Sequence, residues 1–322
     1  MTLQDFIIEC KNEVGACLVN NGIDDAEVKD TEVIKSNDVR LHGIVIIRKG
    51  CSAGVNVYID DLFMRYEHGE ELTQLLDEAK TRCMDALQTA IPPIPRESSF
   101  RLDRIRDRLT VRLLDVRSNR SYMMDRPYID AGNGLVMVVQ VNAEETIMSE
   151  WIITVNNTLL ESIGCSREEL LTAALSNTIR LEPPVMLRLR DFVFSDEQQN
   201  LFEEYDESVK TDSESAYMLT NKSRFKGAAV LFYPGVMAKT ADILGCGYYI
   251  LPSSMHELII IPDSMGMSIR AMTEMLHHGN EAYVDEEEFL SDRVFHYDPF
   301  EGHLRIASNG KEFRDNENSK LA

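Results

Sequence analysis

The chain has 322 residues, 44% of them hydrophobic, enough for two ordinary domains or one large one with a sizeable core. Its formal net charge is -21 and its pI near 4.7. A field of that sign repels nucleic-acid phosphates and anionic lipid surfaces, which argues against nucleic acid or a membrane as partner.

In chain order, Met1-Thr2-Leu3-Gln4-Asp5-Phe6 has no basic segment followed by an apolar one, so it does not read as a secretory signal. Leu3 to Val19 reads as an amphipathic helix, with Phe6, Ile7, Cys10, Val14, Cys17 and Leu18 at helical spacing and Asn20-Asn21-Gly22 as its stop. Glu27 to Lys35 and Val39 to Arg48 read as strands joined by the turn Ser36-Asn37-Asp38. A short helix is expected from Tyr58 to near Gly69, and a stronger one from Glu71 to Thr89. Ile91-Pro92-Pro93-Ile94-Pro95 then forces an extended break.

The middle region opens on an arginine-rich stretch: Arg101, Arg104, Arg106, Arg108, Arg112, Arg117 and Arg120, interleaved with Asp103, Asp107 and Asp115. Leu135 to Val141 reads as a buried strand and Ile147 to Val155, which carries Trp151, as a second. Ser166 and Glu169 form a capping box for a helix reaching about Thr178, and Pro183-Pro184 closes the region. Asp196 to Ser215 is acidic and polar, a connector with a short helix. Beyond it, Ala216 to Thr220, Gly227 to Phe232, Tyr248 to Pro252 and Glu257 to Pro262 read as strands. Pro234 to Leu244 and Ser268 to Leu276 read as helices, and Val294 to Tyr297 with Leu304 to Ala307 as a closing hairpin. The pattern predicts an α+β fold with mixed or antiparallel sheets flanked by helices. The expected divisions are a helix–hairpin–helix region over residues 1–95, an α+β region over 96–195, an acidic connector over 196–215, an α+β domain over 216–308 and a disordered tail over 309–322.

The six cysteines, Cys10, Cys17, Cys51, Cys83, Cys165 and Cys246, form no C-x-x-C pair. Scattered among apolar neighbours, they suit a reducing compartment, and the expected location is the cytoplasm.

Four stretches carry a family resemblance: Tyr58 to Gly69 (YIDDLFMRYEHG), Ser166 to Pro183 (SREELLTAALSNTIRLEP), Asn221 to Val236 (NKSRFKGAAVLFYPGV) and Leu251 to Asp263 (LPSSMHELIIIPD). Together they resemble a bacterial family classed as a domain of unknown function, number 5688, over nearly the whole chain apart from the tail. The resemblance implies a bacterial, cytosolic protein and brings no activity, cofactor or catalytic residue with it.

Three groups of residues invite chemistry. The turn holding Ser253, Ser254, His256 and Glu257 offers two hydroxyls, an imidazole and a carboxylate between two strands, although no G-x-S-x-G elbow occurs. His256, His277, His278 and His296 are candidate metal ligands, but His256-Glu257 lacks the second histidine of H-E-x-x-H because Ile260 stands there. Arg108 and Arg112 would share one face of a strand from Leu109 to Leu114, with Thr110 between them, and could hold a phosphate group. Against this, the interleaved aspartates favour internal ion pairing.

Glycine-rich phosphate loops are missing. On this reading the protein is a non-enzymatic interaction or regulatory protein with a protein partner and no cofactor. The alternative is a hydrolase or metal-dependent enzyme using the Ser253, Ser254, His256, Glu257 turn. The third reading is a phosphate-ligand binder acting through the arginines.

Overall fold

A computed structural model describes residues 1–49, 54–88, 100–142, 152–194, 199–203 and 215–307, with backbone only over 192–194. The chain divides into two compact units, Met1–Arg96 and Glu97–Ala322.

In the first unit, α1 (Leu3–Asn20) begins at a capping box in which Thr2 and Asp5 satisfy each other's backbone N–H. Its buried stripe is Phe6, Ile7, Cys10, Val14 and Leu18. Strands β1 (Ala26–Ile34) and β2 (Arg40–Arg48) pair antiparallel, with Ile34 opposite Arg40. Asn37 and Asp38 turn the chain between them in the left-handed region, which these two residue types tolerate best after glycine. Strand β3 (Val55–Tyr58) adds to β2, and α2 (Asp60–Glu67) and α3 (Leu72–Gln88) follow. Leu75, Ala79 and Cys83 of α3 join the α1 stripe, Ile44, Ile46 and Leu62 in one core.

The second unit starts with α4 (Leu102–Ile105) and a 3-10 turn over Arg106–Arg108, then β4 (Leu109–Asp115), β5 (Tyr128–Gly132), β6 (Leu135–Asn142) and β7 (Ile152–Thr154). β6 lies at the centre of this sheet, with β4 on one side and both β5 and β7 on the other. Helices α5 (Asn157–Ile163) and α6 (Arg167–Leu181) lead to β8 (Pro184–Arg188), α7 (Leu189–Phe194) and β9 (Tyr217–Asn221). After a 3-10 helix over Gly227–Phe232 come α8 (Val236–Leu244), β10 (Tyr248–Leu251), β11 (Leu258–Pro262), α9 (Ile269–Tyr283), β12 (Phe295–Asp298) and β13 (His303–Ile306). These strands build a six-stranded sheet in the order β13-β12-β10-β11-β9-β8, antiparallel at every pairing. The fold class is α+β.

Strand β4 has an open edge, and α6 covers it. Thr178 accepts a hydrogen bond from the Val111 N–H at 2.9 Å, and the Asn177 amide donates to the Leu109 carbonyl at 2.8 Å. Two helix side chains thus stand in for a further strand, satisfying groups that would otherwise template pairing with another chain. Alternation along β4 sends Leu109, Val111 and Leu113 into the main core with Met137, Val139 and Val141 of β6. The opposite face carries Thr110 and Arg112 beside Gln140.

Several elements differ from the sequence expectation. Gly227–Phe232 is a 3-10 helix rather than a strand, because its Gly-Ala-Ala-Val-Leu run is buried throughout and shows no alternation to favour either structure. Strands β3, β5 and β8 and helix α5 are too short to announce themselves, and α9 continues past Leu276 to Tyr283. Strands β8 and β9 pair with each other from either side of residues 196–215. Trp151, Cys51, the tail over 309–322 and most of the acidic connector lie outside the described residues. Among the described residues, no helix is long and apolar enough to cross a membrane.

Candidate functional site

The turn at Ser253 to Glu257 does not assemble a nucleophile and base. The Ser254 hydroxyl donates to Glu257 Oε1 at 2.8 Å and accepts from the His256 backbone N–H at 3.0 Å, so it serves the turn's own geometry. Ser253 contributes a backbone N–H to the Leu251 carbonyl. The imidazole of His256 instead looks across to the loop after β9: its Nδ1 accepts the Lys226 backbone N–H at 3.1 Å, and Nε2 lies 3.3 Å from Glu288. Its ring also packs on Phe225 at 5.4 Å.

The candidate metal ligands separate. His296 Nε2 sits 3.0 Å from Asp263, His256 belongs with Glu288, and His277 and His278 lie on α9. No group of three or more His, Cys, Asp or Glu among the described residues is placed to hold a metal ion.

The arginine cluster splits in two ways. Arg117 pairs with Asp292 at 2.6 Å, Arg101 with Asp103, and Arg180 with Asp107; Asp115 is taken by Arg293 at 2.9 Å. Arg108 ends the turn before β4 rather than sharing the strand face with Arg112. Arg112 differs from the paired ones in being buried. It is only 6% exposed, its Nε is buried with no hydrogen-bond partner, and its Nη2 reaches only the Tyr122 hydroxyl at 3.4 Å. Among the described residues no carboxylate lies within ion-pair distance of it; Glu287 acts on it only from further away.

The residue that sequence reading missed is Lys226. Its amine donates to Gln140 Oε1 at 3.0 Å and lies 4.8 Å from the centre of the Phe225 ring. From there a polar chain leads back to Arg112. Gln140 Nε2 donates to Thr154 Oγ1 at 3.2 Å, the Tyr122 hydroxyl donates to the same oxygen at 3.0 Å, and Tyr122 accepts from Arg112. Burial, and after it the positive charge of Arg112, bring the Lys226 amine down from its ordinary 10.5 to about 7. Burial likewise lowers the Arg112 guanidinium from its usual range.

This amine lines a cavity of about 20 Å³ together with Thr110, Gln140, Asn142, Glu182 and Asn221. That space suits a water molecule or a group of a few atoms. Glu182, 4% exposed, is the one carboxylate among those six residues, and its Oε2 accepts the Ser223 backbone N–H at 2.9 Å.

The loop that delivers Lys226 is over-determined. Asn221 brackets it, donating through Nδ2 to the Phe225 carbonyl at 2.9 Å and accepting the Phe225 N–H at Oδ1. Arg224 and Lys226 both hold left-handed backbone angles, φ 59° and 54°, a conformation costing about 1–3 kcal/mol at a non-glycine residue. Gly227 follows at a point where a Cβ would meet the Asn221 nitrogen and the His256 carbonyl at 2.6 Å each. The signal for all this was present as anomalies: a lysine directly before the buried run that starts at Gly227, and Gln140 inside a strand of eight wholly buried residues.

A family model described as a family of unknown function, DUF5688, matches residues 3–299, and the chain belongs to that family. No curated protein and no solved structure matches it significantly.

Proposed function

We propose that this member of DUF5688 is a non-enzymatic binding or regulatory protein of the bacterial cytoplasm whose ligand is a compact oxyanion seated at Lys226. The observation that carries the reading is a pair of basic side chains on one polar network, Arg112 buried and Lys226 half-buried, without a carboxylate in ion-pair distance among the described residues. Buried charge is costly unless compensated, and basic groups kept in this state are a reason to look for an anionic ligand. Glu182 in the wall offsets one positive charge, leaving a surplus whenever Lys226 is protonated. The small cavity leaves no room for a nucleotide or a sugar and admits at most one small oxyanion group.

The test is a titration of the intact chain with inorganic phosphate, acetate and chloride, read by calorimetry and by melting temperature. An oxyanion present at a hundred times its dissociation constant raises stability by about 2.7 kcal/mol. The gain should vanish in Lys226→Met. Equal responses to chloride and both oxyanions, or a response unchanged in the variant, would remove the basis for the reading.

A further inference from the structure

The geometry points to Lys226 as a site of reversible carbamate formation with carbon dioxide, so that the anion in the cavity is made in place on the amine. The inference rests on the reading of this cavity as an oxyanion seat. Three observations carry it. First, the amine has a single polar partner among the described residues, the neutral Gln140 Oε1 at 3.0 Å. Second, carbamate formation adds three heavy atoms to the amine, a size compatible with a cavity of about 20 Å³, whereas an imine with a metabolite of ordinary size would overfill it. Third, the product is an anion on the same hydrogen-bonded network as Arg112, whose guanidinium is buried with its Nε unsatisfied and with no carboxylate in ion-pair distance among the described residues, and whose charge stands against that of Glu182 in the cavity wall. An imine would add no negative charge for Arg112 to face.

The chemistry balances without any group beyond carbon dioxide. The Nζ lone pair attacks the carbon, an N–C bond forms, and one C=O π pair moves onto oxygen. One amine proton leaves to solvent, so a neutral amine and carbon dioxide give a carbamate anion and a proton. The reaction needs the unprotonated amine, which at about 7 is half populated at neutral pH. For an ordinary exposed lysine that fraction is roughly a thousandfold smaller. The brace from His256 holds the Lys226 backbone, and the hydrogen bond to Gln140 Oε1 holds the amine.

The experiment uses the intact chain equilibrated with ¹³C-bicarbonate at pH 7.5. It combines ¹³C NMR with alkyl trapping of carbamates and peptide mapping by mass spectrometry. Trapped adduct on Lys226 at a level at least roughly a hundredfold above any exposed lysine supports the assignment, given their neutral fractions. Mapping on the wild-type chain keeps the test independent of whether Lys226→Met folds. Arg112→Gln, if it folds, should lower occupancy at a given carbon dioxide pressure about tenfold, and unchanged occupancy would overturn the role given to Arg112. Adduct absent from Lys226 while phosphate or acetate still stabilises the wild type in a Lys226-dependent way overturns the carbamate and leaves the oxyanion seat standing. Absence of both overturns both.

Discussion

Replacing Lys226 by methionine isolates the energetics of the site. Methionine keeps most of the apolar stem and removes the amine. The lysine titrates at about 7 in the folded chain and at 10.5 ordinarily, a gap of about 3.5. Because the folded value is the lower one, folding is penalised wherever the unfolded chain binds the extra proton. The penalty is fully present below pH 7 and fades as the pH rises toward 10.5. At pH 7 it amounts to about 4 kcal/mol, an upper figure because the residue is only half-buried overall. Losing the hydrogen bond to Gln140 returns about 1 kcal/mol.

Lys226→Met should therefore be more stable than wild type at pH 7 by about 2–3 kcal/mol. That advantage should shrink by about 2 kcal/mol between pH 7 and pH 9. The assay is urea unfolding of both chains at half-unit pH steps in buffer purged of carbon dioxide, so that no covalent anion masks the charge. An advantage independent of pH, or a wild type that is the more stable protein at pH 7, would refute the account of a desolvated amine.

Other substitutions test the frame around the site. Gly227→Ala should destabilise the chain by about 3 kcal/mol or more in urea melts, since the contacts at 2.6 Å are with the Asn221 backbone nitrogen and the His256 carbonyl and cannot swing away. Asp115→Ala should cost about 3–5 kcal/mol by the same measurement, because the 1% exposed carboxylate holds Ser291 at 2.7 Å and Arg293 at 2.9 Å. In the first unit, burial pushes the Cys10 and Cys83 thiols up to about 12, so both should resist a thiol reagent at pH 8 until denaturant is added. Fast labelling of either in the native chain, mapped by mass spectrometry, would contradict their burial.

Much of the fold was legible along the chain wherever the pattern was long. The α1 stripe from Phe6 to Leu18, the β1–β2 hairpin and the Ser166 capping box all appear where local periodicity and capping chemistry place them. Arg112 was legible too, as an arginine at an alternating position in a strand. What local pattern could not show is which arginine would be buried away from any carboxylate among the described residues. Asp107, Asp115 and Asp292 all serve Arg180, Arg293 or Arg117, two of which come from far along the chain. Nor could it show that the Ser254, His256, Glu257 turn would brace a lysine thirty residues earlier rather than form a catalytic set. Periodicity fixes the face a side chain takes on its own element. The partners on that face come from segments as distant as Thr110, Gln140 and Lys226, and only the packing of β4, β6, α6 and the loop after β9 brings them to one cavity. Desolvation, which makes Lys226 chemically distinct from the other lysines, is a property of that packing and of no single stretch of sequence.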